Sequence, residues 1–172
     1  ALTSLFCVDN NPFAGGTEYI HLNNLTIGNT YYIRVFDYFS SNAATTTFSL
    51  CLYNTNPPAN DDCANAIAIS SSTTGICTST VVGDTYEATQ SAEPACTGIN
   101  DDDVWYKFVA SSSTCSLTLN ASASFNAVIE VLSGSCGALT SLFCVNNNPF
   151  VGGIETTHLT GLTIGNTYYI RV

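Results

Sequence analysis

"DVWYKFVA", residues 103–110, is the stretch on which the fold turns. Val104, Tyr106 and Phe108 alternate with Trp105, Lys107 and Val109. A period of two is that of a pleated strand, whose successive side chains point to opposite faces. Its valines and aromatic rings also suit a strand better than a helix. The alternation recurs on both sides. "TCSLTLNA" (114–121) sets Cys115, Leu117 and Leu119 against Ser116, Thr118 and Asn120. "NAVIEVLS" (126–133) sets Ala127, Ile129 and Val131 against Val128 and Glu130. "TYYIRV" (167–172) sets Tyr168, Ile170 and Val172 against Tyr169 and Arg171. Upstream, "TTFSLCLY" (46–53) sets Phe48, Leu50 and Leu52 against Ser49, Cys51 and Tyr53. "DDCANAIAIS" (61–70) reads two ways: its alanines suit a helix, while Ile67 and Ile69 fit a first strand. No helical stripe of useful length occurs. Short alternating runs separated by turn residues predict an all-β chain folded as a jelly-roll-like β-sandwich.

The chain also repeats itself. Residues 1–35 align without a gap to 138–172, an offset of 138 − 1 = 137. Seven positions differ, so 35 − 7 = 28 are identical. The differences are Asp9/Asn146, Ala14/Val151, Thr17/Ile154, Tyr19/Thr156, Ile20/Thr157, Asn23/Thr160 and Asn24/Gly161. Diverged copies indicate a tandem repeat rather than a cloning duplication. All differences fall within 9–24, around "NNPF" and "GG", which reads as a surface loop and a short strand. A period of 137 residues is domain-sized, so the expected arrangement is beads on a string. The seam is "YNTNPPANDDC" (53–63). Residues 1–55 are expected to be the C-terminal half of one repeat domain and 56–60 a Pro/Asn linker. Residues 61–172 are then the N-terminal and middle part of the next domain. The chain carries no Met and stops inside an apparent strand, so it is expected to be a fragment of a longer array.

Composition narrows the class. The chain is 45% hydrophobic but only 9% charged, and its net charge is −10. Its three basic residues, Arg34, Lys107 and Arg171, are too few for a nucleic-acid partner. No apolar run approaches the roughly 18 residues needed to span a bilayer. Eight cysteines without a CxxC pair, and two isolated histidines, argue against zinc and for disulfides in an oxidising compartment. His21 and His158 occupy one repeat position and read as packing or surface residues.

One period holds seven cysteine positions: 51, 63, 77, 96, 115, 136 and 7/144. Sequence proximity predicts Cys136–Cys144 and Cys77–Cys96. Cys51 and Cys63 have two readings. Cys63 pairs within its own domain with the repeat equivalent of Cys51, at 51 + 137 = 188, or Cys51 bonds Cys63 across the linker; the first is favoured. Cys115 shares a face with Leu117 and Leu119 and is expected to be a buried free thiol rather than an intermolecular bridge.

Together "NDDCANAIAI", "DDDVWYKFVA", "FNAVIEVLSGSCGALTSLFCV", "LTGLTIGNTYYIRV" and "TTFSLCLYN" resemble the bacterial pre-peptidase C-terminal (PPC) domain. The resemblance is to its Cys-rich, tandemly repeated version in large type IX-secreted cell-surface adhesins and filaments. It implies a jelly-roll-like sandwich that is not itself catalytic, in an extracellular or cell-surface setting.

The residues offer no catalytic constellation. There is no G-x-S-x-G elbow, and "GSCG" (134–137) reads as a disulfide turn rather than a nucleophile turn. Asp101, Asp102 and Asp103 are the candidate metal ligands, with calcium as the cation their oxygens suit. A solvated turn is preferred, because consecutive aspartates diverge and lack the D-x-D-x-D-G spacing. No other cofactor is expected. Trp105, Tyr106, Tyr31 and Tyr32 are the rings a sugar platform would use, against a packing role suggested by their strand placement. The expected function is a structural repeat of an extracellular bacterial filament or giant adhesin shaft. Its partners would be neighbouring repeats, other copies of the protein and a surface ligand that the sequence does not identify. The alternative is a carbohydrate-binding or accessory module of a secreted hydrolase or peptidase.

Overall fold

The structure is a computed structural model and describes residues 2–11, 15–20, 22, 25–38, 47–54, 56–78 and 80–172. The chain divides into two compact units, Ala1–Leu52 and Tyr53–Val172. His21 lies outside the described residues.

The second unit is a β-sandwich. A single 3-10 turn, Cys63–Asn65, leads into β1 (Ile67–Ala68), so the ambiguous alanine run is part turn and part strand. β2 (Trp105–Val109), β3 (Cys115–Asn120), β4 (Ile129–Ser135), β5 (Ala138–Val145), β6 (Ile154–Leu159) and β7 (Thr167–Arg171) follow. One sheet has five strands in the order β1-β2-β7-β4-β5, and the other pairs β3 with β6. Every pairing is antiparallel except β1 with β2. Tyr106, Phe108, Ile129, Val131, Tyr168 and Ile170 of the large sheet meet Leu159, Leu117 and Leu119 of the small one in the main core. The opposite face of the large sheet is also covered: Trp105 and Leu132 pack there with Cys63 and Ala66. β2 is therefore buried on both faces, as a central strand should be. The expected linker is knit into this unit as well. The Asn60 side chain donates to the Trp105 carbonyl (3.0 Å), and the Asn56 backbone N–H donates to Glu87 (2.8 Å).

The disulfides correct the sequence reading. Cys63 bonds Cys136 and Cys96 bonds Cys144, each with Cα atoms 5.8 Å apart. The expected Cys136–Cys144 and Cys77–Cys96 bonds do not form, nor does either proposed bond of Cys63. The physical reason is strand extension. Ser135 faces Ala138 at the tip of the β4–β5 hairpin, so Cys136 sits in the turn. Cys144 lies far along β5, opposite Glu130. At about 3.3 Å per residue the two are on the order of 20 Å apart, beyond the roughly 7 Å limit for bridging. Among the described residues, Cys7 and Cys51 are exposed free thiols and Cys115 is a half-buried one.

In the first unit, the described residues form no strand, although 1–35 nearly repeat 138–172. Local features persist. Asn10 and Asn11 N–H groups donate to Glu18 (2.8 and 3.1 Å), as those of Asn147 and Asn148 do to Glu155. Thr26 N–H donates to the Tyr31 hydroxyl (2.9 Å), as Thr163 does to Tyr168 (2.8 Å). What differs is burial: Ile170 is 3% exposed and its counterpart Ile33 is 55% exposed. β5, β6 and β7 pair with β2, β3 and β4, and residues 1–52 contain no counterpart of those partners. Turns are written locally, whereas strands need non-local partners.

Candidate functional site

The predicted acidic loop leads to a built polar site on the outer face of the large sheet. Register assembles it. Arg171 on β7 stands opposite Trp105 on β2 and opposite Glu130 on β4, so the three side chains lie abreast. Glu130 is 3% exposed, Arg171 4% and Trp105 0%. The Arg171 guanidinium forks onto Glu130: Nε donates to Oε2 at 3.1 Å and Nη2 to the same oxygen. Its Nη1 donates to the Glu93 carbonyl (2.8 Å) and Nη2 to the Pro94 carbonyl (2.7 Å). The cation lies 5.4 Å from the centre of the Trp105 ring. Trp105 Nε1 in turn donates to Ser91 Oγ (2.8 Å). The loop from Ser91 to Asp103 is thus fastened to the sheet by one arginine, and the Cys96–Cys144 bond staples it again.

The three aspartates part company here. Asp101 and Asp102 are exposed, and Asp102 accepts from the Thr85 hydroxyl at 3.3 Å. Asp103 is buried, unlike its two neighbours. Its Oδ1 accepts from the Ser91 N–H (3.0 Å), and its Oδ2 lies 3.4 Å from Arg171 Nη1 without a hydrogen bond. Two buried carboxylates share one guanidinium, and Glu130 holds the closer contact. Burial accordingly pushes the Asp103 carboxyl above the usual aspartate value, against the Ser91 bonds and Arg171, which pull it down. Asp102 is also raised, by partial burial and then by the charge of Asp101. The structure does not gather these side chains around one point, and no metal-holding group of three His, Cys, Asp or Glu occurs among the described residues.

The site's chemistry is fastening. The adjoining cleft, bounded by Asn100, Phe125 and Asn126, has a volume of about 80 Å³, far below the roughly 300 Å³ of small-molecule sites. A larger open groove of about 380 Å³ runs beside β1 and β2, bordered by Ser70, Ser71, Thr73, Lys107, Ser111 and Thr167. Of the rings considered for a sugar platform, Trp105 and Tyr106 are buried, and Tyr31 and Tyr32 are exposed residues of the first unit. His158 is an exposed cross-strand partner of Ser116, 3.2 Å from its hydroxyl.

Sequence reading missed Glu130, Arg171 and Glu155 as organisers. A signal existed. Arg171 is one of three basic residues and recurs as Arg34, and Glu130 interrupts an apolar strand. Opposite charges inside two buried strands predict a pair. Glu155, 1% exposed, recurs as Glu18 within the stretch where all seven differences fall.

Comparison with known families matches residues 59–172 to a family described as galactose binding domain-like and associated with type IX secretion. The match agrees with the expected secretion class and places the sandwich among galactose-binding-like modules rather than naming a pre-peptidase domain. Neither the curated proteins nor the solved structures gave a match.

Proposed function

The chain belongs to the galactose-binding-like family associated with type IX secretion, and from that premise we propose that it is a structural module of an extracellular bacterial filament or adhesin shaft. Family and disulfides mark a secreted module; the shaft is the reading that its construction favours. The role is mechanical rather than catalytic, and its partners are neighbouring repeats and other copies of the protein. One observation carries this reading: the Cys63–Cys136 bond closes a loop of 73 residues within the sandwich. A pulled unit therefore extends through that bond and not through the chain it closes.

Single-molecule pulling tests this. With disulfides intact, the 73-residue separation between Cys63 and Cys136 stays shielded. Reduction should lengthen the unfolding extension of the sandwich unit by about 250 Å, at roughly 3.4 Å per residue. A unit that gives way without a force peak, or whose extension ignores reduction, would end the mechanical reading.

The family description and the groove beside β1 and β2, where Ile69 and Phe108 lie among Ser70, Ser71, Ser111 and Lys107, favour a second reading, a carbohydrate-binding accessory module of a secreted hydrolase or peptidase. Binding of galactosides to unit 2, lost on Lys107→Ala, would establish it.

A further inference from the structure

The groove beside β1 and β2 has a charge that the chain as a whole lacks. Register sets Ala68 opposite Lys107 and Thr167 opposite Val109, so these four share the outer face of the large sheet, turned away from β3 and β6. All four line the groove, and every residue lining it belongs to the second unit. Its volume of about 380 Å³ falls within the roughly 300–1,000 Å³ of small-molecule sites.

Lys107 is the sole lysine of a chain with thirteen acidic residues and a net charge of −10. It is half-buried, and among the described residues it makes no ion pair and no side-chain hydrogen bond. Arg171, by contrast, is fully engaged by protein groups. No aspartate or glutamate borders the groove. An ammonium partly withdrawn from water, with no counter-charge, favours an anion beside it. The neighbouring polar groups are hydroxyls. Those of Ser71 and Ser111 are 2.9 Å apart, and Ser70 stands next to them. A hydroxyl both donates and accepts, which suits the hydroxyls of a sugar ring.

We propose that the groove binds an anionic sugar residue, one carrying a carboxylate or a sulfate, with Lys107 meeting the anion and Ser70, Ser71 and Ser111 meeting the ring hydroxyls. This rests on the carbohydrate reading and narrows it from sugars in general to acidic ones. The charge of Lys107 sets the preference, and the chain's acidic surface keeps free anions from gathering elsewhere.

The test titrates the 172-residue chain calorimetrically with three probes: trigalacturonate, a sulfated galactotriose and neutral galactotriose. The acidic probes should bind at least about tenfold tighter than the neutral one, and should lose that advantage as salt rises. The tighter of the two names the anion. Lys107→Gln should abolish the preference and Lys107→Arg should keep it. Lysine-selective isotope labelling of the unsubstituted chain gives a single residue's signal, which should shift with the acidic probes. The proposal is overturned by acidic binding that survives Lys107→Gln, by a Lys107 signal that the acidic probes leave unmoved, or by inorganic sulfate that binds as tightly as the sulfated sugar. Neutral galactotriose binding as tightly as the acidic probes overturns it too, and leaves the carbohydrate reading standing. Failure of all three probes to bind ends both.

Discussion

Arg171 spends every face of its guanidinium on protein groups: one carboxylate pair, two carbonyls and an indole ring. Removing it leaves Glu130 buried without a counter-charge. Arg171→Met should therefore cost about 3–5 kcal/mol, read as a fall in the urea midpoint. Asp103 gives a pH signature. An aspartate in the unfolded chain titrates near ~3.9, and burial holds this one higher. The native state thus binds a proton that the unfolded chain has released. The contribution is complete below ~3.9 and is lost as pH rises through the native value. The urea midpoint of the wild type should climb relative to Asp103→Asn as pH falls from 7 to 4; a flat difference would contradict this. Cys115 offers a third check, since burial pushes its thiol up. Maleimide labelling at pH 8 should modify exposed Cys51 well before Cys115. The acidic run was legible as a feature, but its use was not, because burial of Asp103 depends on an arginine 68 positions along the chain (171 − 103).

The β4–β5 hairpin shows what a strand costs and what it hides. Gly134 has φ 112°, and a Cβ there would lie 2.6 Å from the Ala138 carbonyl oxygen. Gly134→Ala combines strain with a clash and should destabilise by about 2 kcal/mol in thermal or urea unfolding. Most strands were legible from period-two alternation: 103–110, 114–121 and 167–172 each contain one, and 126–133 covers most of β4. The run 46–53 alternates as cleanly, yet its described residues form no strand. Alternation reports what a segment can cover and leaves its neighbour unstated. The disulfides were illegible for a related reason. Closeness in sequence is distance along an extended strand, while Cys63 and Cys136 meet across 73 residues because the 3-10 turn that holds Cys63 packs over the large sheet against Trp105 and Leu132. By the chain-entropy relation, each loop contributes about 4 kcal/mol. Cys63→Ala with Cys136→Ala should lower stability by that order, and Cys51→Ala should not.

At the scale of the molecule, the two copies of one 35-residue text compare directly. The loop carboxylate and the tyrosine-capped turn form in both units, and the β-ladders form only beside β2, β3 and β4. The sandwich is thus a non-local object, assembled from parts that are individually unfinished. Such a module suits serial repetition, since each unit must gather all its strands before it bears force. The Cys63–Cys136 bond then limits how far a loaded unit can lengthen. Electron microscopy of the native secreted protein tests the central claim most directly. The account predicts elongated particles with domains at a regular spacing, one for each 137-residue period. A compact globular monomer that hydrolyses peptide or sugar would contradict it.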